Sequence, residues 1–493
     1  MRALWSLALL GVACATTPPP STNPVPVISR WEPAPPPEPS SPVERRVPEI
    51  TTWTLKNGLS IVVVEHHQRP LIRMRLVFPS GTSSDDAARS GATGFALAML
   101  GMSRDVTLPS GGFDYAEKPL RRELIEKAAV FRSDVDLDGA WVGIDGLAKD
   151  VRPLLETLAD AVKRPRQGES SFSGLLQAAS DVIDERQLTD PDVLERAVLQ
   201  LAFGDEEAGA SFGTAESLSR LGLDEVIQRQ AALVHPKGAT LMLIGDVRAV
   251  DVKAALSTTF GTWQGGEEAP VRARPIRARP VTRRSVTFLP RPGARSTLVC
   301  AARPLGDLKA SDATLRVLAE VLGRRLTARL REQATLTYDV STGLAFRQQN
   351  RALVACTRFP APSSITGLET LLGTIDKAGP PTEQEVDVAR RQVVSRIERL
   401  LGSLDGVTGL WVGHRVTGRS FEPKQSLESV RGVTMAEVAD AWGPVTSTAQ
   451  YQLVVLGDRG QVEPAAKVLK LGKLRTPTLG KVETDSRFGI DDD

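Results

Sequence analysis

Histidine and cysteine are scarce in this chain, four and three residues among 493. So few cysteines exclude a disulfide-dense scaffold or a cysteine-rich zinc module, both of which need clustered thiols. So few histidines leave little from which to assemble a metal site. Excess charge of one sign is also missing: 61 basic residues face 59 acidic ones, a formal net charge of +2. Phosphate binding needs a concentrated basic face, so this balance gives no reason to expect a nucleic-acid partner. The one basic concentration, "VRARPIRARPVTRR" (Val271–Arg284), is broken by proline and holds no aromatic side chain to stack on bases. It reads as a solvated linker. The N-terminal apolar run, Leu4–Ala13, is ten residues long, well short of the roughly 20 that span a bilayer.

What is present is ordinary globular composition, 41% hydrophobic and 24% charged, with length for two to four domains. The start, "MRALWSLALLGVAC", has one early positive charge, the short apolar run and then Cys14 after small residues. This is the layout of an export signal over residues 1–14. It resembles a bacterial lipoprotein signal, in which Cys14 becomes the lipidated first residue; the alternative is an ordinary secretory signal cut nearby. Residues 15–47 are dominated by Pro, Ser and Thr, a composition that stays extended and would act as a tether. Ala15 after Cys14, rather than Asp, points by analogy with known lipoproteins to the outer membrane. The expected location is therefore the periplasmic face of a bacterial envelope, with a lipid anchor. Cys300 and Cys356 each lie in an apolar, strand-like run, "STLVCAARP" and "RALVACTRF"; they fit two buried core thiols or a disulfide of an exported protein.

The body repeats one plan. "TTWTLKNGLSIVVVEHHQRPLIRMRLVFPSG" alternates apolar and polar residues around turn signals, as paired strands do. "VRPLLETLADAVKRP" follows at helical spacing, and "GATLMLIGDV" ends as a buried strand with Gly-Asp. The same order returns in "RRSVTFLPRPGARSTLVCAARP", "ASDATLRVLAEVLG" and "AQYQLVVLGDRG", which places Gly245 and Gly457 212 residues apart. "GLDEVIQRQAAL" and "TMAEVADAWGPV" precede the two Gly-Asp strands. This weak internal duplication predicts an α+β fold of two similar domains, each a mainly antiparallel sheet packed with helices. The domains are expected over residues 48–262 and 285–476, with a linker at 263–284 and a tail at 477–493.

These segments resemble the pitrilysin/insulinase family of zinc peptidases, in its short two-domain, processing-peptidase-like branch. "TLKNGLSIVVVEHHQRPLIRMRLVFPSGTSSD", "GTAESLSRL", "HPKGATLMLIGDV" and "LREQATLTYDV" carry the resemblance by their order and spacing. In that family the first domain bears an inverted zinc motif, H-x-x-E-H, on a helix. Two imidazoles four residues apart project from one helix face and hold one metal, and the Glu beside them activates the metal-bound water. Here "SGATGFALAML" aligns with the family's "SGLAHFLEHML" without a gap. Gly94 and Ala98 stand at the two His positions and Leu97 at the Glu, so all three chemical groups are gone while the packing residues keep their type. The third ligand of the family falls near Asp184 and Glu185, where a lone carboxylate has no metal to hold.

The four histidines make no replacement set. His66 and His67, adjacent in "VEHHQRP", read as a solvated turn between strands. His235 precedes a proline at the start of a strand and reads as a cap or surface residue. His414 lies in the second half. In the second domain many active members use an Arg and a Tyr, seven residues apart, to hold the substrate backbone and the oxyanion. "RRLTARLREQATLTYDV" aligns with the family's "SRLFQELREKRGLAYSV", which places Arg331 and Tyr338 on that pair. Thr335 replaces the usual Gly there, and Gly323 alone remains of a Gly-rich run.

The resemblance thus implies a chain that is no enzyme on its own and needs no cofactor, zinc being expected only in a partner. Its expected role is the substrate-binding subunit of a heterodimeric envelope protease, paired with a zinc-motif-bearing homologue. Arg331 and Tyr338 would contact a peptide or unfolded protein. The alternatives are a non-enzymatic scaffold or peptide-binding lipoprotein, for instance a homodimer, and a peptidase with a wholly new site.

Overall fold

A computed structural model describes residues 47–101, 120–165, 168–169, 171–179, 194, 197–198, 203, 215–265, 272–273, 281, 283–306, 308–348 and 350–476. Cys14, the signal and nearly all of the tether, Asp184, Glu185 and the tail at 477–493 lie outside the described residues.

The first half contains strands β1 (Glu49–Thr54), β2 (Ser60–Glu65), β3 (Leu71–Phe78), β4 (Val130–Val135), β5 (Ala140–Leu147) and β6 (Thr240–Gly245). They form one sheet in the order β1-β2-β6-β3-β5-β4, in which only β2 and β6 run parallel. Helices α1 (Ala92–Met99), α2 (Val151–Lys163), α3 (Leu223–Leu233) and α4 (Ala249–Phe260) belong to this half. Helix α2 buries Leu154, Leu155, Leu158 and Val162 along the stripe that its spacing predicts.

The second half holds β7 (Ser285–Pro290), β8 (Ser296–Pro304), β9 (Val340–Arg347), β10 (Asn350–Pro360), β11 (Gln452–Gly457) and β12 (Leu474–Arg475), in the order β12-β7-β11-β8-β10-β9. Its helices include α5 (Asp312–Thr327), α6 (Ser364–Asp376), α7 (Glu383–Leu401), α8 (Leu404–Val416), α9 (Met435–Thr446) and α10 (Arg459–Val468). Ser311, Thr382 and Thr434 cap α5, α7 and α9 by accepting from backbone N–H groups, and Glu385 and Glu437 close capping boxes at the last two.

The duplication is real in space. Five strands of each sheet follow one order and one set of directions: β2-β6-β3-β5-β4 against β7-β11-β8-β10-β9, with the parallel pair at β2–β6 and β7–β11. The fold is α+β with two mainly antiparallel sheets, and α3 and α9 precede the two corresponding last strands. The sheets differ in their sixth strand, β1 lying antiparallel to β2 while β12 lies parallel to β7. Gly245 ends β6 at φ +143°, where an added Cβ would lie 2.1 Å from the carbonyl of Leu71; no side chain fits that approach.

Strand β6 is buried along its whole length because its two faces serve different cores. Leu241 and Leu243 join Ile61, Val63, Ile72 and Met74 under the helices of the first half. Met242 and Ile244, pointing the other way by the two-residue period of a strand, join the core of the second half. Helix α8 packs over β3 and β6, Arg415 Nε donates to Thr240 Oγ1 at 2.7 Å, and Val416 closes on Gly139, where a Cβ would lie 2.5 Å from its carbonyl oxygen.

Cys300 and Cys356 are directly opposite on β8 and β10 and form a disulfide. The antiparallel register brings together two residues 56 apart in sequence, a proximity that neither apolar run encodes alone.

Candidate functional site

Helix α1 is held by a buried polar anchor. Asp85 accepts from Thr93 Oγ1 at 2.5 Å and from the Thr93 N–H at 3.2 Å, and pairs with Arg229 of α3 at 3.2 Å. Burial pushes the Asp85 carboxyl above the usual range, and Arg229 and Thr93 oppose that. Gln230, also on α3, donates to the carbonyl of Ala96 at 2.7 Å. Phe95 packs edge-on against Phe172 with ring centroids 5.4 Å apart. Ala92, Phe95, Ala96 and Met99 fill one cluster with Leu218, Leu221 and Val226.

The positions that the resemblance aligns with a metal motif are filled by packing or left bare. Leu97 is fully buried in the core of the first sheet. Gly94 and Ala98, one turn apart, form the half-exposed stripe of the helix. A Cβ on Gly94 would lie 3.1 Å from Val135 Cγ1, so a larger residue there presses on β4. None of the three side chains can donate to a metal or accept a proton, and among the described residues no cluster of His, Cys, Asp or Glu is suited to hold one. The residues present do not fit zinc.

The histidines are placed as follows. His67 is exposed and bridges two carboxylates, Asp246 at 2.7 Å and Glu65 at 3.3 Å; the hydrogen bond to Asp246 is the main cause that raises its pKa. His66 corrects the expectation of a solvated pair. It is buried, and burial lowers its pKa, because the N–H of His66 bonds to Gly245 and draws the residue under the end of β6. His235 Nδ1 accepts from the N–H of Lys237 at 3.1 Å, a local cap. His414 sits on α8 with Nδ1 2.7 Å from the carbonyl of Leu410.

Arg331 and Tyr338 stand beyond α5, which runs on as a π-helical segment, Ala328–Gln333. Both are exposed, Tyr338 at 91%, and neither side chain makes a hydrogen bond or ion pair among the described residues. Between them Thr335 adopts φ +50°, the left-handed conformation that glycine takes without strain. The backbone holds this left-handed turn without a glycine. Gly323 is needed for packing: a Cβ there would lie 2.0 Å from Thr342 Oγ1 on β9.

On this two-sheet fold, helix α1 presents no metal-binding side chain at positions 94, 97 and 98. Residues 220–393 match the family model described as the Peptidase M16 inactive domain. Over these residues the chain is similar to that family, the pitrilysin peptidases. No curated protein matches the chain. Among solved structures, a protease from Helicobacter pylori is similar at TM-score 0.70 and 15% identity, over 83% of this chain and 99% of that one. A peptidase M16 inactive domain from Pseudomonas fluorescens is similar at TM-score 0.66 and 18% identity, over 87% and 99%. The first half of the periplasmic protease PqqL from Escherichia coli is similar at TM-score 0.67 and 11% identity, over 87% and 98%. Of intact PqqL, 47% is covered.

Proposed function

We propose that this chain is a non-catalytic, peptide-binding subunit that completes a protease together with a zinc-bearing homologue. The observation that carries the reading is the asymmetry of its two family sites. Positions 94, 97 and 98 carry no metal-binding side chain, whereas Arg331 and Tyr338 are exposed and, among the described residues, unpartnered on a π-helical turn and the loop after it. Such turns are frequent at functional sites. A guanidinium and a phenol kept in solvent are free to hold a carbonyl or an oxyanion that another subunit's chemistry generates. Positioning of this kind can supply a large share of a barrier without a metal. A body of this fold makes up about half of intact PqqL, which suits a chain that works beside a second such body.

The setting is the bacterial envelope, with Cys14 as a lipid anchor to the outer membrane and zinc confined to the partner. The periplasmic relative and the disulfide, which persists in oxidising compartments, support this location. Among the described residues no helix is long and apolar enough to cross a membrane.

The test is affinity capture of the full chain from its native envelope, followed by peptide-cleavage assays of the complex. The expected result is a zinc-motif homologue whose turnover falls at least tenfold when this chain carries Arg331→Ala or Tyr338→Phe. A homodimer with no zinc-bearing partner would favour the scaffold reading and overturn this one.

A further inference from the structure

Helix α8 borders an open groove of about 560 Å³, within the size range of ligand sites. Leu344 and Phe346 of β9, Leu400 at the end of α7 and Leu410 of α8 supply apolar walls. Arg316 of α5 also lines it, stacked over the Phe346 ring at 5.2 Å, and Arg419 covers the same ring at 4.2 Å. Their acids are unequally shared. Asp312 pairs with both Arg419 and Arg351, while Arg316 has no hydrogen bond or ion pair among the described residues. Burial holds the Arg316 guanidinium below its usual range; Asp312 offsets part of this, and Arg419 and Arg396 add to it. A desolvated guanidinium beside two others is an electrostatic deficit that an anion would relieve.

The helix is also bare where the groove needs room. Gly409 and Gly413 line it, and a Cβ at either would meet nothing within 4 Å. Glycine inside a helix costs about 1 kcal/mol relative to alanine, and here no packing contact calls for it. Gly406, by contrast, would press its Cβ 2.3 Å from the carbonyl of Leu400. His414 adds an acceptor: Nδ1 lies 2.7 Å from the carbonyl of Leu410 and must donate to it, burial lowers the ring's pKa, and in the neutral ring Nε2 accepts from an N–H. Asp405, the acid on this wall, lies about 13 Å along the helix from His414 and is paired with Arg73.

We propose that this groove binds the C-terminus of a polypeptide, with its carboxylate on Arg316 and its last apolar side chain against Leu344, Leu400 and Leu410. A peptide suits the groove better than an acyl chain. The site is open to solvent on one side, where backbone amides can be hydrated and an acyl chain cannot be. The residues are distinct from Arg331 and Tyr338 and need no partner subunit, so the test is independent of the reading above.

The test is fluorescence anisotropy on the full chain with a labelled tetrapeptide ending in Leu, as the free acid and as the C-terminal amide. The acid is expected to bind at least tenfold more tightly than the amide. Arg316→Gln should weaken it tenfold or more without lowering the melting temperature, since the unpaired charge is removed. Gly409→Leu should abolish binding while leaving the melting temperature unchanged or higher, because the side chain enters open space and favours the helix. Equal binding of acid and amide, full affinity in either folded variant, absence of peptide binding, or binding of octanoate without the peptide would each overturn the proposal.

Discussion

Asp138, in the turn between β4 and β5, accepts a hydrogen bond from Arg347 Nε at 3.2 Å, and the two side chains are 4% and 2% exposed. One residue comes from each half of the chain, so this buried ion pair ties the halves together. The second carboxylate oxygen of Asp138 has no partner. Burial raises the Asp138 pKa to about 6, with Arg347 opposing and Asp136 adding to the rise; desolvation outweighs the attraction of a single guanidinium.

The sign of the pH dependence follows. Between about pH 4 and pH 6 the folded chain keeps a proton on Asp138 that the unfolded chain has lost, so stability falls as pH rises through that window and levels off above it. The shift corresponds to a loss of about 3 kcal/mol. Asp138→Asn stays neutral, and its urea midpoints at pH 4 and pH 7 should lie closer together than those of the unaltered chain. An undiminished gap would assign the pH dependence elsewhere.

Thr335 is the one residue near Arg331 and Tyr338 that the backbone disfavours, a β-branched side chain at φ +50°. Thr335→Gly should raise stability by about 1 kcal/mol, read as a higher melting temperature. A fall would show that the threonine side chain is worth more than the strain.

The Cys300–Cys356 bond closes a long loop and joins two strands in the middle of a sheet. Loop-closure entropy puts its contribution at about 4 kcal/mol. Cys300→Ser with Cys356→Ser, or a reductant added to the unaltered chain, should lower the unfolding midpoint accordingly. Equal midpoints with and without reductant would show that the bond does not form in solution.

Installing an H-x-x-E-H motif as Gly94→His, Leu97→Glu and Ala98→His should yield no zinc enzyme. Position 97 faces an apolar core, where an unpaired carboxylate costs several kcal/mol, and position 94 abuts Val135. Leu97→Glu alone is expected to destabilise the chain by about 3 kcal/mol or more, and metal analysis of the triple variant should find less than one zinc per chain. Stoichiometric zinc with an unchanged melting temperature would mean that the helix had kept a usable site.

The sequence alone determined much of this protein. Alternation and helical spacing, together with the Gly-Asp endings at Gly245 and Gly457, established two α+β halves of one plan, because strand and helix periods are local properties of the chain. That Gly94, Leu97 and Ala98 offer no metal-binding side chain was equally legible, since they lack donor atoms in any conformation. Only the tertiary structure decided what depends on distant residues meeting. It buried His66 against a strand end, paired Cys300 with Cys356 across β8 and β10, and sent Met242 and Ile244 into the core of the other half. It also left Arg316 with no hydrogen bond or ion pair among the described residues, Asp312 being paired with Arg351 and Arg419. Burial, pairing and the surplus of charge in a groove are sums over neighbours from many parts of the chain, and no window of sequence contains them.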